Sequence, residues 1–177
     1  WTFQPPTIGG GKASDASEAL PPDIQSPTRP VVSSSDPVLG DTNAPLAIVE
    51  FGDFLCPACA EVEPILDSVL KQYNGRVKLV WKDMPNVRIH PLAQRAAESA
   101  RCAGAQGRFW QYHDLLFEKQ EEITEGSFIQ FARTLGLNPA SFQSCLDSGE
   151  TTALVQRSFN EGLLLRVDAT PYFFIGG

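Results

Sequence analysis

The sequence predicts an α/β domain: a strand–helix–strand unit, then an all-helical block, then one closing strand. Three observations predict it. An apolar run, Leu46 to Phe51, leads through Cys56-Pro57-Ala58-Cys59 into an amphipathic stretch, Glu61 to Tyr73, and on to a second run, Val77 to Trp81. From Ile89 to about Arg166, apolar residues recur at three- and four-residue spacing. The chain then closes on Pro171 followed by aromatic and β-branched residues to Ile175, which suits a strand start.

The 177 residues, 42% of them hydrophobic, suffice for one domain with a sizeable core plus extras. The formal net charge is −7 and the 14 Lys and Arg are dispersed, which argues against a nucleic-acid partner. No apolar run reaches the roughly 18 residues of a membrane span, and no signal peptide is visible. The chain begins at Trp1, so an export or anchor segment upstream of it is consistent with the sequence.

Residues 1–36 carry six prolines, the run Gly9-Gly10-Gly11 and Ser33-Ser34-Ser35, with sparse, aperiodic apolar residues. Such a stretch cannot offset its ordering entropy by burial. It reads as a disordered linker or a semi-rigid stalk, and the domain is expected over residues 37–177. Leu46 to Phe51 is apolar on both faces, as in a covered parallel sheet. Glu50 is the exception: either a buried carboxylate or a strand-end residue facing solvent. Val62, Ile65, Leu66, Val69 and Leu70 mark one face of a helix that Pro64 should kink and Asn74-Gly75 should end. A βαβ unit with a parallel pair follows.

The block at about 89–166 reads as five helices. The first carries Leu92, Ala96, Ala100 and Ala103, and the second Phe109, Trp110, His113 and Leu116. The third opens at Ser127, the fourth at Asn138-Pro139, and the fifth carries Leu154, Val155 and Phe159. His90 and His113 read as a helix-start residue and a core-edge residue rather than metal ligands.

The chemistry is concentrated in the Cys56 and Cys59 pair. Pro57 suits the first helical position, where a missing N–H is no loss. Cys56 then falls at the N-cap, where unpaired amides and the helix dipole stabilise a thiolate. Cys59, one turn on, is placed to attack a mixed disulfide formed at Cys56. A closed zinc site wants three or four ligands, and Cys102, Cys145, His90 and His113 form no second tight pair. The pair therefore reads as redox-active rather than as half a zinc site or an inert disulfide, and no metal or cofactor is expected.

These residues resemble the DsbA-like thiol–disulfide oxidoreductases, a branch of the thioredoxin superfamily with a helical domain inserted into the thioredoxin fold. The resemblance rests on Glu50-Phe51-x-x-Phe54-x-Cys56-Pro57-x-Cys59, Pro64, Gln106-Gly107-x-Phe109-Trp110-x-x-His113-Asp114, and Thr170-Pro171. It implies catalytic roles for Cys56 as nucleophile, Cys59 as resolving thiol, Glu50 as proton acceptor, and Pro171 as the cis-proline facing the pair. Thr170, Pro171 and Pro57 would line the substrate-binding surface. It further implies cysteine-containing substrate proteins, a membrane redox partner of quinone-reductase type, and an extracytoplasmic location.

Two departures matter. The Pro-Ala dipeptide lacks the His of strongly oxidising relatives, so a potential between about −120 and about −270 mV is expected. The family continues through a further strand and a C-terminal helix, which this sequence, ending at Gly177, is expected to lack. Cys102 and Cys145 match positions where some relatives carry cysteines. In an exported protein they would join, closing a loop of roughly 44 residues; two buried free thiols are the alternative. The expected activity is oxidation of substrate thiols. A reductase or isomerase, and a non-catalytic binding module on the same scaffold, are the alternatives.

Overall fold

The computed structural model describes residues 27–177; the expected linker up to residue 26 lies outside them. The order is β1 (Val38–Leu39), β2 (Leu46–Gly52), α1 (Pro57–Gln72), β3 (Val77–Asp83), α2 (Ala93–Ala105), α3 (Phe109–Glu118), a short 3-10 turn (Gln120–Glu122), α4 (Ser127–Thr134), α5 (Pro139–Ser148), α6 (Thr152–Leu164) and β4 (Tyr172–Gly176). The sheet runs β1-β3-β2-β4, with β2 and β3 parallel and both outer strands antiparallel. This is the thioredoxin fold with its helical block inserted between β3 and β4.

Both faces of the central strands are covered, which explains their near-continuous apolar runs. Ile48 and Leu79 pack with Leu66, Val62 and Val69 of α1 on one face. Val49, Phe51 and Val80 pack with Phe159, Val167 and Met84 on the other. Side chains alternate along β2, so Glu50 shares the face of Ile48 and lies beneath α1. It is fully buried, which removes the solvent-facing alternative.

Several local expectations shift. The strand β1 has only two residues, too few to show a period, and it was not legible in advance. Ser127 begins α4 rather than capping it; its hydroxyl bonds the Thr124 backbone. Asn138 does cap α5, accepting from the Ser141 amide at 2.9 Å. The helix α1 runs unbroken through Pro64. Residues 31–36, on the linker side of the expected boundary at 37, lie against the domain. The Lys82 Nζ is 2.8 Å from Asp36 Oδ2, from Glu161 Oε2 and from the Val31 carbonyl, and it is 1% exposed. A buried ammonium without such partners would be strongly disfavoured, so Asp36 belongs to the fold.

In the helical block, the sulfurs of Cys102 and Cys145 are bonded, with the Cα atoms 5.8 Å apart across 43 positions. Closing that loop removes unfolded-state entropy worth about 4 kcal/mol in the chain-entropy model. Replacing both cysteines by alanine should therefore lower the urea midpoint markedly. Exchange at Cys56 should be unaffected; a change in its rate would mean that the two pairs communicate.

Candidate active site

Main-chain geometry sets the site first. Cys56 is the N-cap of α1, with φ −81° and ψ 119°, and Pro57 occupies the first turn. The Cys56 side chain makes no cap hydrogen bond, and its sulfur is half-buried at the surface. Cys59 is completely buried one turn along. Both are free thiols.

The loop into this helix is pinned from several sides. Gly52 ends β2 with its Cα against Trp81; a Cβ there would meet the indole ring at 2.3 Å. The Phe54 ring stacks on the same indole at 4.6 Å, and such pairs contribute about 0.5–1.5 kcal/mol. Gln120, on the 3-10 turn of the insertion, donates from Nε2 to the carbonyls of Phe54 (2.9 Å) and Cys56 (3.1 Å). The helical block thus holds the redox loop by a direct hydrogen-bonded contact.

From the opposite side comes the segment before β4. The Thr170–Pro171 peptide is cis. The Thr170 carbonyl accepts from the Cys56 thiol at 3.3 Å. Burial pushes the Cys59 thiol far above its ordinary range. Hydrogen bonds from the Asp53 backbone and the Thr170 side chain oppose that rise, while negative charge at Cys56 and Glu50 reinforces it. Thr170 thus meets the Cys56 sulfur through its main-chain carbonyl.

Beneath the pair, neither carboxyl oxygen of Glu50 has a hydrogen-bond partner. Burial, reinforced by the nearby Glu63 carboxylate, pushes the Glu50 acid up to about 9. Glu63, two turns along α1 from Cys56, is itself raised to about 8, by burial first and then by Asp114 and Asp67. Its Oε1 is 3.9 Å from His113 Nε2. Burial holds the His113 imidazole below its usual range, against the pull of Asp114. Neutral forms of these groups therefore prevail beneath the redox pair at neutral pH.

The structure thus brings together Cys56, Cys59, Glu50, Thr170, Pro171 and Pro57. Cys102 and Cys145 lie in the helical block as a separate pair. Gln120, Asp53 and Glu63 belong to the site and were not picked out from the sequence, and His90, read there as a helix-start residue, lies against Asp53. Glu63 could have been found from its place two turns after Cys56. A lone Gln on a short turn carries no such signal. Among the described residues no cluster of three or more metal-ligating side chains occurs, and no helix is long and apolar enough to cross a membrane.

Comparison with known proteins agrees with this geometry. The thioredoxin family model matches residues 33–177. The Na(+)/H(+) antiporter NhaA 3 of Salinispora tropica is 36% identical over 148 residues, covering 84% of this chain. The chain spans only 22% of that protein's length. Oxidised BdbD from Bacillus subtilis superposes with a TM-score of 0.73 at 25% identity, over 80% of this chain and 82% of that one. The thiol–disulfide exchange protein α-DsbA2 from Wolbachia pipientis shares the fold, with a TM-score of 0.73 at 19% identity over 81% and 77%. The chain belongs to the thioredoxin family.

Proposed function

We propose that this domain is a protein thiol–disulfide oxidoreductase that oxidises the thiols of substrate proteins outside the cytoplasm. One observation carries the reading: the half-buried Cys56 sulfur at the open end of α1, 3.3 Å from the Thr170 carbonyl, with Cys59 sealed behind it. A substrate thiolate attacks Cys56 Sγ of the disulfide form. The Cys56–Cys59 bond breaks, and Cys59 leaves as a thiolate and takes up a proton. Glu50, held protonated by its burial and acting electrostatically on Cys59, would donate that proton. A second substrate thiolate then attacks the substrate's own sulfur in the mixed disulfide. Cys56 is released as a thiolate, the substrate has lost two electrons, and the domain has gained them. Thr170, Pro171 and Pro57 would receive the substrate chain beside Cys56.

Reoxidation would fall to a membrane partner of quinone-reductase type. The match to one part of a longer protein named as an antiporter, and the proline-rich stretch upstream, favour a domain held near a membrane. The reductase or isomerase reading draws on Ala58, which removes the histidine of the strongest oxidants from the dipeptide.

Equilibration of the Cys56–Cys59 pair with glutathione tests the assignment. A potential between about −120 and about −270 mV is expected, nearer the oxidising end for an oxidase. A value at or below the thioredoxin end would assign electron flow in the reducing direction. A pair that does not exchange would leave a binding module.

A further inference from the structure

Asp53 joins the redox pair to a part of the chain that the proposed mechanism does not use. It is 1% exposed and precedes Phe54-Leu55-Cys56 directly. Its main chain faces the pair: the carbonyl accepts from the Cys56 amide at 3.0 Å. Its side chain points elsewhere. Oδ1 accepts from the Leu55 amide at 2.8 Å; Oδ2 accepts from the Asn86 amide at 2.9 Å and meets His90 Nδ1 at 2.8 Å.

One buried carboxylate therefore ties the loop after β2 to the segment after β3. Two of its three partners are main-chain amides. Among the described residues, His90 is the only side chain within ion-pair distance of it, and the imidazole is 21% exposed. A buried carboxylate is disfavoured unless donors hold its charge and fix its direction.

We infer that His90 is a positioning residue for the redox pair. Its Nδ1 fixes the Asp53 carboxylate and so keeps the Asp53 carbonyl on the Cys56 amide, holding the Cys56 thiol in the reduced arrangement against the Thr170 carbonyl. In doing so it favours the reduced form. The inference deepens the oxidoreductase reading and rests on it.

The test uses the full chain with His90→Ala and His90→Asn, equilibrated with glutathione and unfolded in urea in both redox states. His90→Ala should move the equilibrium toward the disulfide about fivefold or more, because a hydrogen bond to a charged group is among the stronger ones. The domain becomes less oxidising. His90→Asn keeps a donor near the Nδ1 position and should stay within about twofold of the parent. A merely structural tie would lower the urea midpoint equally in both redox states and leave the equilibrium where it was.

A parent pair that exchanges, with His90→Ala at the same equilibrium, sinks this inference alone. A parent pair that does not exchange sinks the oxidoreductase reading and this one with it. Should His90→Ala not fold, the parent decides. Coupling is reciprocal, so the His90 ring resonances must differ between the reduced and oxidised protein, and identical resonances overturn the assignment.

Discussion

Cys59→Ser should turn the domain into a trap. With the resolving thiol gone, a substrate disulfide attacked by Cys56 stays joined to it, and the adduct accumulates on non-reducing gels. Turnover should fall by about 100-fold or more, because the mixed disulfide has no internal thiol to resolve it. Cys56→Ser should fall as far without any adduct, since the remaining sulfur is sealed from solvent. The contrast between the two variants is the informative part. It follows from one accessible and one buried sulfur on the same helical turn. Product release by Cys59→Ser at the parent rate would mean that the two roles are wrongly divided.

Much of this arrangement was legible because chain-local rules decide it. A Pro after Cys56 and an amphipathic run after Cys59 place the pair at a helix start, and α1 begins at Pro57 as those residues require. The parallel pair β2 and β3 followed from two apolar runs joined by one helix. Thr170-Pro171 could be assigned only through the family resemblance, because Thr170 lies 111 positions after Cys59 in the chain and nothing local brings them together. The strand β1 was missed because two residues show no alternation.

Contacts made by single polar side chains across long separations were not legible either. Gln120 reaches the Cys56 carbonyl from 64 positions away, and His90 reaches Asp53 from 37. Neither has a periodic or compositional signature. The edge of the domain was misjudged for a related reason. Residues 31–36 look like linker by composition, yet Asp36 is needed by a lysine that β3 buries 46 positions later.

Glu50→Gln should separate the stability of the fold from its chemistry. The Glu50 acid sits at about 9 in the folded chain against an ordinary 4.5, so burial favours its protonated form. A group whose folded value is raised contributes its full stability below 4.5, and that contribution is lost as the pH climbs toward 9. Each pH unit above 4.5 costs about 1.4 kcal/mol, so the loss at pH 7 is on the order of 3 kcal/mol. Glutamine has nearly the same shape and no charge to desolvate. The variant should therefore unfold at higher urea than the parent at pH 7 to 8, with the difference closing near pH 4.5. Exchange should move the other way, slowing by about 10- to 100-fold, because an amide cannot donate the proton that Cys59 takes up as it leaves. A more stable but slower domain identifies Glu50 as a buried acid kept for its proton. Equal urea midpoints at pH 8 would show that the carboxyl is solvated in the folded chain, and unchanged exchange would pass the proton to another donor, with Glu63 the first to examine.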